Sequence, residues 1–302
     1  MESNDQRPLC IYHGNCFDGF TAAWAVWRRF GDKFDYLPAT YGDAPPDVTD
    51  RHVFLVDFSY KRDVLMAMAA TAASVIVLDH HKTAAEDLAG FELPPILSPC
   101  MYEGDTVRAW SFGDRLPRVL FDMTRSGAGI AWDYFHRDIH DDLALDRPKI
   151  IWHVEDRDLW KFDIPFTREV HAGMSAYPFE FSAWDEIAIK CENGSLVGEG
   201  GAIDRKHLRD IDTLIKAQAF RMSIGGYEVP VCNLPVTMCS DAGNIMARGE
   251  PFAATYYDNA DFRCFSLRSS DAGMDVSEIA KQYGGGGHRN AAGFRIAKDS
   301  SL

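Results

Sequence analysis

At 302 residues, with 46% hydrophobic and 25% charged side chains, the chain has material for one large globular domain or two ordinary ones. Its longest apolar stretch, 64–78, is too short for the roughly 20 residues of a membrane span, and the polar start Met1-Glu2-Ser3-Asn4-Asp5 does not resemble a secretory leader, so a cytoplasmic protein is expected. Seven scattered cysteines with no CxxC pair disfavour both a disulfide framework and a zinc site, and the net charge of −14 repels long polyanions, which are held mainly by basic side chains.

The first element is the apolar run Leu9-Cys10-Ile11-Tyr12, which ends on His13. Short runs of this composition read as buried parallel strands. A helix follows over 19–30, with Arg28 and Arg29 in its last turn, where cations complement the helix dipole. A second strand, Val53-Phe54-Leu55-Val56, ends on Asp57; 61–73 reads as a crossover helix. A third strand, Val75-Ile76-Val77-Leu78, ends on Asp79-His80-His81. This alternation predicts a parallel sheet with right-handed crossovers.

Residues 94–118 hold several Pro and Gly and read as an irregular excursion. Helices are expected from Ser126 through Phe135 and over 148–154. The segment 193–201, Asn-Gly-Ser-Leu-Val-Gly-Glu-Gly-Gly, is turn chemistry and marks a boundary. Leu208, Ile211 and Ile215 then fall at helical spacing, which predicts a connecting helix ending near Phe220. The remainder reads as a smaller α/β unit with strands near 229–234, 252–257 and 263–267, helices near 242–247 and 276–283, and a final strand at 294–297. The expected division is a metal-binding catalytic domain over 1–192, a linker with the connecting helix over 193–219, and a substrate-binding domain over 220–302. About −13 of the charge precedes Phe220 and about −1 follows it.

In an open α/β sheet the side chains just beyond the carboxyl ends of the strands share one crevice. His13, Asp57, Asp79, His80 and His81 therefore point to a metal site of imidazoles and carboxylates, donors suited to Mn²⁺ or a similar ion. Asp18-Gly19, at a strand-to-helix turn, adds a carboxylate. Of Glu155, Asp156 and Asp158 near a helix end, Asp156 is the preferred further ligand. The run Gly284-Gly285-Gly286-Gly287-His288-Arg289 would let backbone amides approach an anion while His288 and Arg289 meet phosphate oxygens. Arg268 would supply another phosphate contact, and Ser126 opens a helix whose free N–H groups could hold an anion. Trp24, Trp27 and the aromatics near Trp110 could stack bases, though a core role is the commoner one for such rings.

Together, His13…Asp18-Gly19, Asp57, Asp79-His80-His81, Asp156 and the GGGGH-x-x-AAGF run at 284–294 resemble the DHH phosphoesterase superfamily with its DHH-associated C-terminal domain. The short two-domain layout looks most like the nanoRNase branch. The resemblance implies an α/β fold with a parallel-sheet N-terminal domain and a smaller α/β C-terminal domain, catalysis taking place in the cleft between them. It implies two metal ions. His13 and Asp57 would bind one, and Asp18, Asp57, His80 and Asp156 the other, with Asp57 bridging.

The same resemblance gives Asp79 a supporting role and places His81 facing the scissile phosphate. Gly285, Gly286, Gly287, His288 and Arg289 would grip the nucleotide. Mn²⁺ is the expected ion, with Mg²⁺, Co²⁺ and Zn²⁺ as alternatives, two of them activating a water for hydrolysis. The implied function is a phosphodiesterase of short RNA or DNA oligonucleotides or small nucleotides. The alternatives are a cyclic-dinucleotide phosphodiesterase, a 3′-phosphoadenosine phosphate phosphatase, or a non-catalytic nucleotide-binding module. The sequence leaves the oligomeric state open, a homodimer included. One departure stands out: the first motif is a residue shorter than in most members, and Cys16 stands two positions before Asp18.

Overall fold

The computed structural model describes residues 7–92, 101–103, 106–108, 115–136 and 147–298. It divides into two compact units, Met1–Gly201 and Ala202–Leu302. Trp110 lies outside the described residues.

The first unit runs β1 (Leu9–His13), α1 (Phe17–Phe30), β2 (Asp35–Ala39), β3 (His52–Val56), α2 (Arg62–Thr71), β4 (Ser74–Asp79) and α3 (Lys82–Asp87). It continues with the short pair β5 (Met101–Glu103) and β6 (Thr106–Arg108), then β7 (Arg118–Phe121), α4 (Gly127–His136), α5 (Lys149–Asp158), α6 (Thr167–Met174) and α7 (Phe181–Asn193); α8 (Ser195–Gln218) starts in it. The main sheet has the order β2-β1-β3-β4-β7 and every pairing is parallel, as the βαβ alternation predicts.

Strand alternation builds two cores. Cys10, Phe54, Val56, Ile76 and Leu78 face a layer that includes Trp24 and Val26 of α1 and Ile130 and Ala131 of α4. Leu9, Ile11, Val53, Leu55, Val75 and Val77 face the opposite layer with Leu65, Met68 and Ala69 of α2. The chain leaves β1 to one side to form β2 and returns on the other side to form β3, so the carboxyl ends of β1 and β3 flank a topological switch point. Crevices that bind ligands open at such points. Among the described residues no helix is long and apolar enough to cross a membrane; the stretch 64–78 is the end of α2 followed by β4.

One local expectation needs correction. Residues 195–201 are the first turns of α8 rather than a turn segment; Gly194, with φ +77°, ends α7 just before it. The glycines permit close approach, since a Cβ on Gly200 would lie 1.7 Å from the Glu169 carbonyl oxygen. The strand β2, sequence DYLPA, lies at the edge of the sheet, where its proline is tolerated.

The second unit continues α8 and adds β8 (Phe220–Ile224), β9 (Tyr227–Asn233), α9 (Cys239–Met246), β10 (Ala253–Asp258), β11 (Phe262–Arg268), α10 (Val276–Lys281), β12 (Gly286–Gly287) and β13 (Ala291–Ala297). Its six-stranded sheet, β12-β13-β11-β10-β9-β8, is mixed: β9 and β10 run parallel and the other pairs antiparallel. Val229, Val231, Phe252, Phe265, Leu267, Ile279 and Phe294 form its core.

A candidate metal centre at the strand tips

The cluster forms because three parallel strands end together. Asp57 follows β3 and adopts φ +54°, a left-handed conformation that is costly without glycine. Its amide is held by the Leu78 carbonyl at 2.9 Å. Room for the bend comes from Gly127, where a Cβ would fall 2.4 Å from the Cβ of Asp57. The residue is 1% exposed, yet neither carboxylate oxygen accepts a hydrogen bond. Instead Oδ2 lies 3.4 Å from His13 Nδ1 and Oδ1 lies 3.2 Å from His80 Nε2.

His80 is the hub of a second group. Its Nε2 also lies 3.5 Å from Asp18 Oδ2 and 3.5 Å from Asp158 Oδ2. Asp18 is pinned from behind: the Gly127 and Ala128 amides at the start of α4 donate to it at 2.6 and 2.9 Å, an arrangement that the helix dipole favours. Gly19 allows this turn, because a Cβ there would sit 2.3 Å from the His13 carbonyl oxygen. Asp79 is fully buried and accepts from the His80 amide at 2.7 Å. It also bonds His81 Nδ1 at 2.7 Å, a carboxylate–imidazole pair that fixes the orientation of the ring.

The electrostatics match this crowding. Burial pushes the Asp18 carboxyl well above the usual range, and Asp57 and Asp158 add to the effect. Burial acts the same way on Asp57, but the His13, His80 and His81 rings outweigh it and hold that carboxyl well below the usual range. In turn His13 and His80 are raised well above an ordinary histidine despite burial, His13 by Asp57 and Cys16 and His80 by Asp57, Asp158 and Asp18. These groups hold each other's charges, with Asp18, Asp57, Asp79 and His80 buried and Asp158 at the exposed edge.

The structure brings His13, Asp18, Asp57, Asp79, His80 and His81 together. Asp156 does not join them. Its carboxylate accepts from the Asp163 amide at 2.8 Å, the Ile164 amide at 3.2 Å and the Thr167 hydroxyl at 2.6 Å, so it anchors the loop before α6. Asp158 takes the place beside His80. Residues two apart on a helix face away from each other, so only one of the pair can point at the site.

Ser126 is also placed differently from the expectation. Its amide donates to Glu155 at 3.0 Å and its hydroxyl accepts from the Gly129 amide at 3.1 Å. With Asp18 on the Gly127 and Ala128 amides, the free N–H groups expected at this helix start are taken. Trp24 is core at 1% exposure, and Trp27 stacks on Phe181 at 5.3 Å. A ring that the sequence did not single out, Tyr41, is 49% exposed and packs 5.4 Å from His13 and 6.0 Å from His81.

In the second unit Arg268 and the glycine run share one end of the sheet, since Arg268 of β11 pairs with Ala291 of β13. The Arg268 guanidinium bonds the hydroxyls of Ser266 and Ser240 and the Leu267 carbonyl. Ser269 donates its amide to the Asn290 carbonyl at 3.1 Å. The glycines serve the hairpin: a Cβ on Gly285 would lie 2.1 Å from the Gly293 carbonyl oxygen. The amides of Gly284, Gly285 and His288 are already donated, to Lys281, Ala280 and Ala291. Arg289, half exposed, reaches the carbonyls of Asp271 and Gly273 at 3.3 Å.

Donor chemistry fits divalent metal ions. Within unit one, three sets of side chains present ligand atoms within 4.8 Å of one another: His13-Cys16-Asp57, Asp18-His80-Asp158 and Asp57-Asp79-His80-His81. A buried carboxylate without hydrogen bonds, set between two imidazoles, is costly for a fold to keep unless a cation joins it.

Residues 245–302 match the model of the DHHA1 domain. The chain is 31% identical to an uncharacterized protein of Acanthamoeba polyphaga mimivirus over 331 aligned residues, covering 98% of this chain and 69% of that protein. Among solved structures, it is similar in fold to the DHH domain of a member of the S1p family of ribosomal proteins, with a TM-score of 0.53, 14% identity, and coverage of 96% of this chain and 83% of that one. A pGpG-specific phosphodiesterase of Vibrio cholerae matches at a TM-score of 0.46 and 13% identity over 97% of this chain and 94% of that one.

Proposed function

This chain belongs to the DHH phosphoesterase superfamily and ends in a DHHA1 domain, and from that premise we propose a metal-dependent phosphodiesterase acting on short oligonucleotides or small nucleotides at the Asp57 cluster. The observation that carries this reading is the Asp57 carboxylate itself: buried, conformationally strained, without a hydrogen bond, and flanked by His13 and His80. Asp57 would be shared by two ions, one beside His13 and the other among Asp18, His80 and Asp158. Bound there, divalent cations would supply Lewis-acid chemistry, lowering the pKa of the attacking water and stabilising charge on phosphorus.

The remaining work falls to side chains already in position. Asp18 is oriented by the two helix amides, so its second lone pairs face His80. Asp79 holds His81 by Nδ1, which aims Nε2 toward a phosphate oxygen or the leaving group. Two features of the charge argue for a small substrate: the net −14 of the chain and its concentration before Phe220. Counterion release on a long strand needs many cationic contacts, and here the acidic side chains outnumber the basic ones by 45 to 31.

With Mn²⁺ present, RNAs of two to five nucleotides should be cleaved with kcat/KM at least about tenfold above that for long single-stranded DNA, a gap of roughly 1.4 kcal/mol in transition-state binding. A linear dinucleotide, a cyclic dinucleotide and 3′-phosphoadenosine phosphate run in parallel assign the ester class. A preference for long strands would overturn the size argument. Tight nucleotide binding without turnover of any substrate would overturn the enzyme.

A further inference from the structure

Cys16 stands apart from the other cysteines. Among the described residues it is the one thiol that belongs to a cluster of metal-ligating groups, its Sγ lying within 4.8 Å of ligand atoms of His13 and Asp57. The others named as free, Cys10, Cys191, Cys232, Cys239 and Cys264, lie in no such group. Cys16 is positioned by the turn between β1 and α1. Asn15 takes φ +55°, a left-handed conformation that asparagine tolerates better than most residues, and Cys16 then adopts extended backbone as the N-cap of α1. Its own carbonyl receives the Phe20 amide at 3.0 Å.

A second observation points to a ligand at the same spot. Asp57 is 1% exposed and neither of its oxygens accepts a hydrogen bond. The buried Nδ1 of His13 likewise makes no hydrogen bond and lies 3.4 Å from Asp57 Oδ2. Three donors of three kinds, one nitrogen, one sulfur and one oxygen, thus converge with their polar atoms turned toward one another. Across the cluster the Asp18-His80-Asp158 set holds no sulfur.

We propose that Cys16 is a metal ligand, its thiolate joining His13 and Asp57 to make one position of the centre selective for a thiophilic divalent ion such as Zn²⁺ or Co²⁺. The position among Asp18, His80 and Asp158 is then the harder one, so the two halves of the centre are chemically unequal. Thiolate ligands select softer ions, whereas carboxylates suit Mg²⁺ and Mn²⁺. On binding, the thiol proton leaves to solvent and the S–metal bond replaces S–H. The inference rests on the metal-centre reading above and adds to it the nature of one ligand.

The test is Co²⁺ titration of the full-length protein, read by absorption rather than by activity. A sulfur-to-cobalt charge-transfer band in the near ultraviolet is expected in the wild type and absent in Cys16→Ser. Zn²⁺ should also slow alkylation of Cys16, mapped by mass spectrometry, about tenfold or more. Cys16→Asp should keep metal binding but lower the ratio of Zn²⁺ to Mn²⁺ affinity by about tenfold or more, a scale that even outer-shell partners reach. Co²⁺ binding without a charge-transfer band, together with unchanged Zn²⁺ affinity in Cys16→Ser, would overturn the role of Cys16 and leave the metal centre standing. Failure of the wild type to bind Co²⁺, Zn²⁺ or Mn²⁺ would overturn both.

Discussion

Replacing Asp57 with asparagine will lower Mn²⁺-dependent phosphodiester cleavage by about a thousandfold or more while leaving the protein folded. The loss follows from geometry: both oxygens of Asp57 face ring nitrogens, at 3.4 and 3.2 Å, so the amide removes the one negative group common to both halves of the centre. Several kcal/mol of transition-state stabilisation are at stake where a metal is displaced. The fold should survive because asparagine has nearly the same size and tolerates the left-handed φ of +54°. In the wild type, Mn²⁺ at a hundred times its dissociation constant should stabilise the native state by about 2.7 kcal/mol, a rise of roughly 5–10 °C in melting temperature. Asp57→Asn should lose that rise. A variant that stays active and keeps the full Mn²⁺-dependent shift would remove Asp57 from the centre.

Gly127→Ala will damage the same site from outside it. The added Cβ would lie 2.4 Å from Asp57 Cβ and 2.9 Å from its Cα, and neither atom belongs to a flexible side-chain end. Either β3 and α4 separate or the Asp57 bend is lost. Overpacking of this kind costs about 1–3 kcal/mol, and the first turn of α4 also carries the amides that hold Asp18. Lower melting temperature and weaker Mn²⁺ binding should therefore appear together. Gly198→Ala is the matched control, because a Cβ there meets nothing within 4 Å. At an exposed position in α8 it should be neutral or stabilising by about 0.5–1 kcal/mol. If Gly127→Ala binds Mn²⁺ like the wild type, the close approach does not shape the centre.

Much of this was legible in the sequence, for a physical reason. Buried parallel strands are continuous apolar runs, and the polar residue that ends each run lies at the sheet's carboxyl edge. His13, Asp57 and Asp79-His80-His81 follow from that rule alone. What resisted reading depends on packing that no local pattern encodes. Asp156 and Asp158 are both acidic and both on α5; which one faces His80 is decided by the loop 159–166, which folds back to bond Asp156. Residues 193–201 carry turn composition, but Gly198, Gly200 and Gly201 lie in α8, which at Gly200 passes too close to Glu169 for any side chain. Ser126 reads as an anion-binding helix start until Asp18, 109 residues from Gly127, is seen to occupy the amides.

The most direct measurement is an anomalous-difference map from crystals soaked in Mn²⁺. A peak bonded to an Asp57 oxygen, with His80, Asp18 and Asp158 as its neighbours, is the predicted result. A map whose manganese peaks all lie away from Asp57, or one in which Asp156 rather than Asp158 reaches the ion, would contradict the centre described above.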